Sequence, residues 1–212
     1  MFEFDAYFFD FDGTIGDTDV DIRKAWLSAI DKLQLPKGNF DKIFRVGPSL
    51  PDTAGMLYPE LDIASREILQ NTYKSFYDDA ESYQALPYPG VVEKLNDLTK
   101  SGKKIYIVTN KRIKPLAKMV KHFALDFVDG IFAPDIVASD THLTKSELLT
   151  LALKISAVSP ERAIMVGDTE LDIAAGKNNQ IATCGVAWGY DSAEQLKNAG
   201  ADFIISTPDA LP

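Results

Sequence analysis

Cysteine is almost absent from this chain: Cys184 stands alone among 212 residues. A single thiol excludes an intrachain disulfide and fits a reducing compartment. It lies in the apolar run IATCGVAW, the setting of a small buried hydrophobe rather than of a nucleophile. Histidine is nearly as scarce. His122 and His142 are too isolated to argue a zinc site or phosphohistidine chemistry. Positive charge is short as well, with 22 Lys and Arg against 31 Asp and Glu and a formal net charge of -9. That balance argues against non-specific binding to nucleic acid or to an anionic membrane. No apolar run reaches the roughly 18 residues that a membrane helix needs. The first residues, MFEFDAYFF, hold acids where a secretory leader carries basic residues. These absences together predict a cytoplasmic protein.

What is present is an ordinary globular composition, 46% hydrophobic and 25% charged, long enough for one large domain or for a domain with an insertion. The most informative stretch is AYFFDFDGT, Ala6 to Thr14. An apolar run before a Gly turn reads as a buried strand of a parallel sheet, whose carboxyl end is where open α/β sheets carry ligands. Asp10 and Asp12 stand at that end, and Gly13 lets the chain turn and re-aim them. Two like charges beside an apolar strand are costly unless a cation compensates. The pair therefore asks for a metal, and one of the two is a candidate nucleophile.

After Pro89, strand and helix patterns alternate. KKIYIVTN (103–110), RAIMVGD (162–168), IATCGVAWG (181–189) and ADFIIST (201–207) read as strands. GVVEKLNDLTKSG (90–102), KSELLTLALKIS (145–156) and ELDIAAGKNN (170–179) read as helices. This is the pattern of βαβ units on a doubly wound parallel sheet. Between Asp17 and Tyr83 no strand is evident. Two amphipathic helical runs, 19–35 and 62–83, flank a Gly/Pro-punctuated turn, RVGPSLPDT. The fold expected is α/β, a Rossmann-like core of residues 1–16 and 86–212 with a helical cap inserted at 17–85.

Each expected core strand ends in useful chemistry: Asp10 and Asp12, then Thr109 and Asn110, then Gly167, Asp168 and Thr169. In a parallel sheet these ends lie side by side, and Lys145 opens the helix leading into the Asp168 strand. The four segments resemble the motifs of the haloacid dehalogenase-like hydrolase superfamily: DxDGT at Asp10 to Thr14, a strand-terminal Thr109, a helix-opening Lys145, and GDxxxD at Gly167 to Asp172. They occur in that order and span nearly the whole core. The stretch from Val166 to Tyr190 further resembles the phosphoglycolate phosphatase-like branch, and the RVGPSL turn is similar to one in that branch and in its nucleotidase-like relatives.

The resemblance implies a phosphatase acting through an aspartyl-phosphate. Asp10 is then the nucleophile, and Asp12 the general acid and later the base. Thr109 and Asn110 bind phosphoryl oxygens. Lys145 neutralises charge on nucleophile and phosphoryl group, with Lys111 a rival for that role. Mg²⁺ is implied as the cofactor, held by Asp10, Asp12 through its backbone carbonyl, and Asp168, with Asp172 as an outer or alternative ligand. Asp168 and Asp172 have a second reading, as the cap and first-turn acid of the helix that follows. Ser146 departs from the branch, which carries Pro after the lysine.

The expected substrate is a small phosphate ester. Phosphoglycolate would want a cation such as Arg45, Lys42 or Arg23 for its carboxylate. A nucleotide would want an aromatic surface, for which Trp26, Phe44, Tyr58 and Phe76 are candidates, although helical spacing suits them to a cap core. Pyrophosphate and broad-specificity monoesters stay open, as does a sugar phosphomutase, which keeps the same second acid. A signalling receiver domain would share clustered acids, Thr and Lys, but places its acceptor on a middle strand and has no helical insertion. Monomer and homodimer are both compatible with the sequence.

Overall fold

The structure is a computed structural model, and it describes residues 3–136 and 143–212. His142 lies outside the described residues. In chain order the first elements are strands β1 (Ala6–Phe9) and β2 (Gly16–Asp17), then helices α1 (Asp19–Lys32), α2 (Phe40–Ile43), α3 (Leu50–Leu57) and α4 (Ile63–Tyr77). There follow β3 (Leu86–Pro87), α5 (Val91–Lys100), β4 (Lys104–Val108), α6 (Ile113–His122) and β5 (Gly130–Phe132). The chain ends with α7 (Lys145–Ser156), β6 (Ala163–Gly167), α8 (Glu170–Asn178), β7 (Ala182–Val186), α9 (Ala193–Asn198) and β8 (Phe203–Ile205).

Six of the strands form one sheet in the order β5-β4-β1-β6-β7-β8, and every pairing in it is parallel. β1 is central, hydrogen-bonded to β4 on one side and β6 on the other, with Phe8 opposite both Tyr106 and Met165. Ala6, Tyr7, Phe8 and Phe9 are all buried, as a strand covered on both faces requires. Phe8 stacks on Tyr106 with centroids 5.1 Å apart. Burial of such a ring contributes about 1.5–3 kcal/mol. The chain leaves β1 towards β4 and β5 and later crosses back to β6, so the direction of winding reverses at β1. Loops at the carboxyl end of β1 and its two neighbours therefore share the crevice where such sheets bind ligands.

The described chain divides into two compact units: the residues up to Asp17 together with Leu86–Pro212, and Thr18–Ala85. The second is helical. Its core is aromatic: Trp26 of α1 stacks on Tyr73 of α4 at 4.4 Å, and Tyr73 stacks on Tyr77 at 5.4 Å. The segment RVGPSLPDT is more than a turn, because α3 begins inside it. Ser49 caps that helix by accepting from the Asp52 amide, and Pro51 lies in the first turn, where a missing N–H costs nothing. The run 62–83 is helical only to Tyr77. Buried Asp21 accepts hydrogen bonds from the backbone amides of Gln84 and Ala85, which fixes the end of this unit to the start of α1.

The cap candidates resolve within that unit. Trp26, Phe44 and Tyr58 are buried and belong to its packing, while Phe76 is 39% exposed. Arg23 pairs with Asp19 and Asp41 and lies over the rings of Phe40 and Phe44, so it clamps α1 to α2. The exposed Arg45 donates to the carbonyls of Lys42 and Phe44. In the other unit, Cys184 is fully buried in β7 and His122 is exposed at the end of α6.

Candidate active site

The loop after β1 is shaped by its glycine. Gly13 has φ +85°, and the amides of Ile15 and Gly16 both return to the Phe11 carbonyl, closing a tight turn. A Cβ on Gly13 would run into the Asp168 carboxylate and the Tyr190 ring. This close approach lets Thr14 Oγ1 donate to Asp168 Oδ1 at 2.8 Å, tying the β1 loop to the end of β6. The loop after β7 closes the same corner: the Tyr190 amide donates to Asp168 Oδ2 at 2.9 Å, and Trp188 Nε1 donates to the Thr14 carbonyl at 3.1 Å. Asp168 is fully buried and held from two sides.

Lys145 occupies the first turn of α7, where the helix dipole disfavours a cation. Two carboxylates outweigh that: its Nζ lies 2.8 Å from Asp10 Oδ2 and 2.6 Å from Asp172 Oδ1. The helix start is secured by a capping box of Thr144 and Glu147. Asp172 does two things at once. Its Oδ1 accepts from Lys145, and its Oδ2 accepts from the amide and hydroxyl of Thr169, 3.0 and 2.7 Å away, as the acid of the capping box of α8. The structural reading of this aspartate, as the first-turn acid of α8, holds, and the same carboxylate also meets Lys145.

The loop after β4 brings Thr109, Asn110 and Lys111. Thr109 is buried, and its hydroxyl oxygen accepts from the Lys111 amide. Asn110 is half-buried beside it. Lys111 Nζ sits 2.8 Å from Asp12 Oδ1, so the two lysines divide the two acids of the first motif between them. Sequence reasoning placed Lys111 only as a rival to Lys145, and it placed no role on Thr14, Trp188 or Tyr190. The position of Lys111, two residues beyond the strand-terminal threonine, was the available signal. Arg45 belongs to the helical unit.

Burial dominates the electrostatics. It pushes the Asp10 carboxyl up to about 6 against the opposing pull of Lys145. It also pushes Asp168 well above the usual carboxylate range, with Asp172 and Asp10 adding to the effect. Burial would lower the Lys145 ammonium, but Asp10 and Asp172 outweigh it, and its net direction is upward. Among the described residues, Asp10, Asp12, Asp168 and Asp172 gather around Lys111 and Lys145.

A metal fits that imbalance. One oxygen from each of Asp10, Asp168 and Asp172 lies within 4.8 Å of the others. Asp10 Oδ1 is buried with no hydrogen-bond partner among the described residues, an unusual state for a native carboxylate. Hard, all-oxygen donors of this kind suit Mg²⁺. The Asp12 carboxylate lies outside the cluster, which leaves only its backbone carbonyl for the metal role expected of it.

Comparison with known proteins agrees with this geometry. The sequence model of the haloacid dehalogenase-like hydrolases matches residues 7–186, from β1 to the end of β7. The chain belongs to the haloacid dehalogenase-like hydrolase family. Pyrophosphatase PpaX of Halalkalibacterium halodurans is similar at 32% identity over 212 residues, covering 99% of this chain and 96% of the relative. PpaX of Listeria innocua is 30% identical over 201 residues, covering 93% and 89%. Among solved structures, a predicted phosphatase from Clostridium acetobutylicum superposes with a TM-score of 0.87 at 26% identity, covering 98% of this chain and 95% of the other. A haloacid dehalogenase-like hydrolase from Streptococcus pneumoniae gives 0.85 at 27%, covering 98% and 96%. This member of the family is therefore an enzyme of phosphatase type. Among its described residues no helix is long and apolar enough to cross a membrane.

Proposed function

We propose that this hydrolase cleaves inorganic pyrophosphate through an aspartyl-phosphate on Asp10. One observation carries the chemistry: Asp10 is buried, one oxygen is held by Lys145, and the other has no hydrogen-bond partner among the described residues. A carboxylate so oriented and desolvated is an activated nucleophile. The Asp10 carboxylate attacks phosphorus as the bond to the leaving oxygen breaks. Asp12, carrying a proton, delivers it to that oxygen. The resulting carboxylate then takes a proton from the water that cleaves the acyl phosphate, and Asp10 is regenerated.

Thr109 donates its hydroxyl hydrogen to a phosphoryl oxygen, and Asn110 supplies a further contact in the same loop. Lys145 opposes the charge gathering on the equatorial oxygens. Mg²⁺ held by Asp10 and Asp168 would supply the remaining positive charge at the transferring group. Asp172, with both oxygens engaged, keeps Lys145 in place.

The choice of pyrophosphate rests on full-length similarity to proteins named pyrophosphatase. A second reading, a phosphomonoesterase of phosphoglycolate phosphatase type, is favoured by Asp12, because an alkoxide leaving group needs a proton more than phosphate does.

The test is phosphate release from pyrophosphate, 2-phosphoglycolate and nucleoside monophosphates, with Mg²⁺ and with EDTA. Pyrophosphate is expected to give the highest kcat/KM, EDTA to stop release, and Asp10→Asn to reduce it to background. Preference for phosphoglycolate would replace the first reading with the second. Turnover by Asp10→Asn at the wild-type rate would remove the proposed nucleophile.

A further inference from the structure

Lys111 is as deeply buried as Lys145, yet it does not touch Asp10. Its side chain is 2% exposed, and its ammonium lies 2.8 Å from Asp12 Oδ1. The ammonium also lies 5.7 Å from the centroid of Phe11, the residue between the two acids. Phe11 in turn stacks on Phe123 with centroids 5.6 Å apart, which fixes the ring. The backbone of Lys111 is equally constrained. Its amide donates to Thr109 Oγ1, while Asp135 accepts from the Ile113 amide and from Arg112 Nε just beyond. A lysine normally keeps its ammonium in water, and burying one at its partner is costly unless geometry is enforced. Here stem, head and backbone are each held.

We infer that Lys111 is a positioning residue for Asp12: it holds one carboxylate oxygen, Oδ1, so that the other is presented to the leaving group. This rests on the reading of Asp12 as the proton carrier. The proton moves from Asp12 Oδ2 to the leaving oxygen as the P–O bond breaks, and the same oxygen receives a proton from the attacking water afterwards. Lys111 neither gives nor takes a proton in this sequence. It restricts a short side chain to one orientation across both halves of the reaction, and proton transfer from a placed acid contributes about 10²–10⁴-fold.

A role through Asp12 differs measurably from a direct role on the phosphoryl group. Loss of a proton-carrier aid is felt most where the leaving group is a poor one, such as an alkoxide. It is felt least for a nitrophenolate, which departs without a proton. Loss of charge on the phosphoryl oxygens would be felt by both alike.

The experiment compares kcat of the full chain, with Mg²⁺, on an alkyl phosphate and on nitrophenyl phosphate for wild type, Lys111→Met, Lys111→Arg, Asp12→Asn and Lys111→Met/Asp12→Asn. For Lys111→Met, kcat on the alkyl ester is expected to fall about 10–100-fold, less than the full effect of a placed acid, roughly 10²–10⁴-fold, because Asp12 itself remains. The fall on the nitrophenyl ester should be several-fold smaller. Lys111→Arg should recover part of the loss. The double variant should be no slower than Asp12→Asn, because removing Asp12 leaves Lys111 nothing to position.

Equal losses on both esters, losses confined to KM, or a double variant slower by the product of the single effects would each overturn the proposal. A circular dichroism melt shows whether Lys111→Met folds, and Lys111→Arg carries the test if it does not. Failure of the underlying reading looks different: wild type would turn over neither ester, or Asp12→Asn would be indifferent to the leaving group.

Discussion

Asp10 is held in a state that an isolated protein would relieve. Its ordinary value is 3.8, and burial raises it to about 6 in the folded chain; Asp168 is displaced the same way. For such a group the folded state keeps its proton where the unfolded chain has released it. Stability from this source is therefore present below pH 4 and is lost as pH rises towards about 6. The loss amounts to a few kcal/mol. In EDTA the melting temperature should fall across that interval, and Asp10→Asn should flatten the fall and melt higher than wild type at pH 7. Mg²⁺ should reverse the order, since a ligand at a hundred times its Kd adds about 2.7 kcal/mol to wild type. Scanning calorimetry at pH 4, 5, 6 and 7 checks this. A wild-type melting temperature that rose through the interval in EDTA would contradict the electrostatic account of the site.

At the level of elements, the site is a set of strand ends brought to one rim by short, constrained loops. The β1 loop shows how little slack it has. Gly13 combines φ +85° with a position where a Cβ would meet Asp168. Gly13→Ala should cost about 1–3 kcal/mol in backbone strain alone, which is about 2–12 °C in melting temperature for a chain of this size. Because the displaced neighbour is the carboxylate proposed for the metal, affinity for Mn²⁺, measured by titration calorimetry, should fall as well. Unchanged metal affinity in a folded Gly13→Ala would detach the loop from the site. The same loops explain what could be read from the sequence. β1, β4, β6 and β7 were legible because each is buried on both faces and appears as an unbroken apolar run. β5 was not, since three residues at the sheet edge, Gly130–Phe132, carry no run at all. α3 was hidden behind Gly47, Pro48 and Pro51, whose turn chemistry also suits a helix start. Asp10, Asp12, Thr109, Lys145, Asp168 and Asp172 were legible from motif and strand position together. The pairing of Lys111 with Asp12, and the hold of Trp188 and Tyr190 on the β1 loop, depend on how loops fold over one another, and no local pattern encodes that.

For the whole molecule, the division of the chain carries the largest consequence. The sheet takes all six of its strands from the unit formed by the residues up to Asp17 and from Leu86 on, and Thr18–Ala85 contributes none of them. Where the chain departs and returns, β2 and β3 pair antiparallel, with Gly16 opposite Pro87 and Asp17 opposite Leu86. The ends of the excursion are therefore already adjacent. Joining them through a few residues closes a far shorter loop than the native one, and each halving of loop length recovers only about 0.6 kcal/mol, so closure is no obstacle. The buried hydrogen bonds of Asp21 to Gln84 and Ala85 leave together with the segment and orphan nothing in the sheet. A chain with a short Gly/Ser linker between Asp17 and Leu86 should thus fold cooperatively and keep the Asp10, Asp168, Asp172 and Lys145 cluster. It should bind Mn²⁺ within about tenfold of wild type and still form the acyl phosphate on Asp10. Its discrimination among pyrophosphate, phosphoglycolate and nucleotides should collapse, because the segment that the sequence reads as a cap, with the candidate substrate cations and aromatics, is gone. Calorimetric melting, metal titration and the same substrate panel decide it. A shortened chain that melts without cooperativity would mean that the helical segment is part of the core's own stability, and one that kept its full substrate preference would place selectivity in the sheet loops instead.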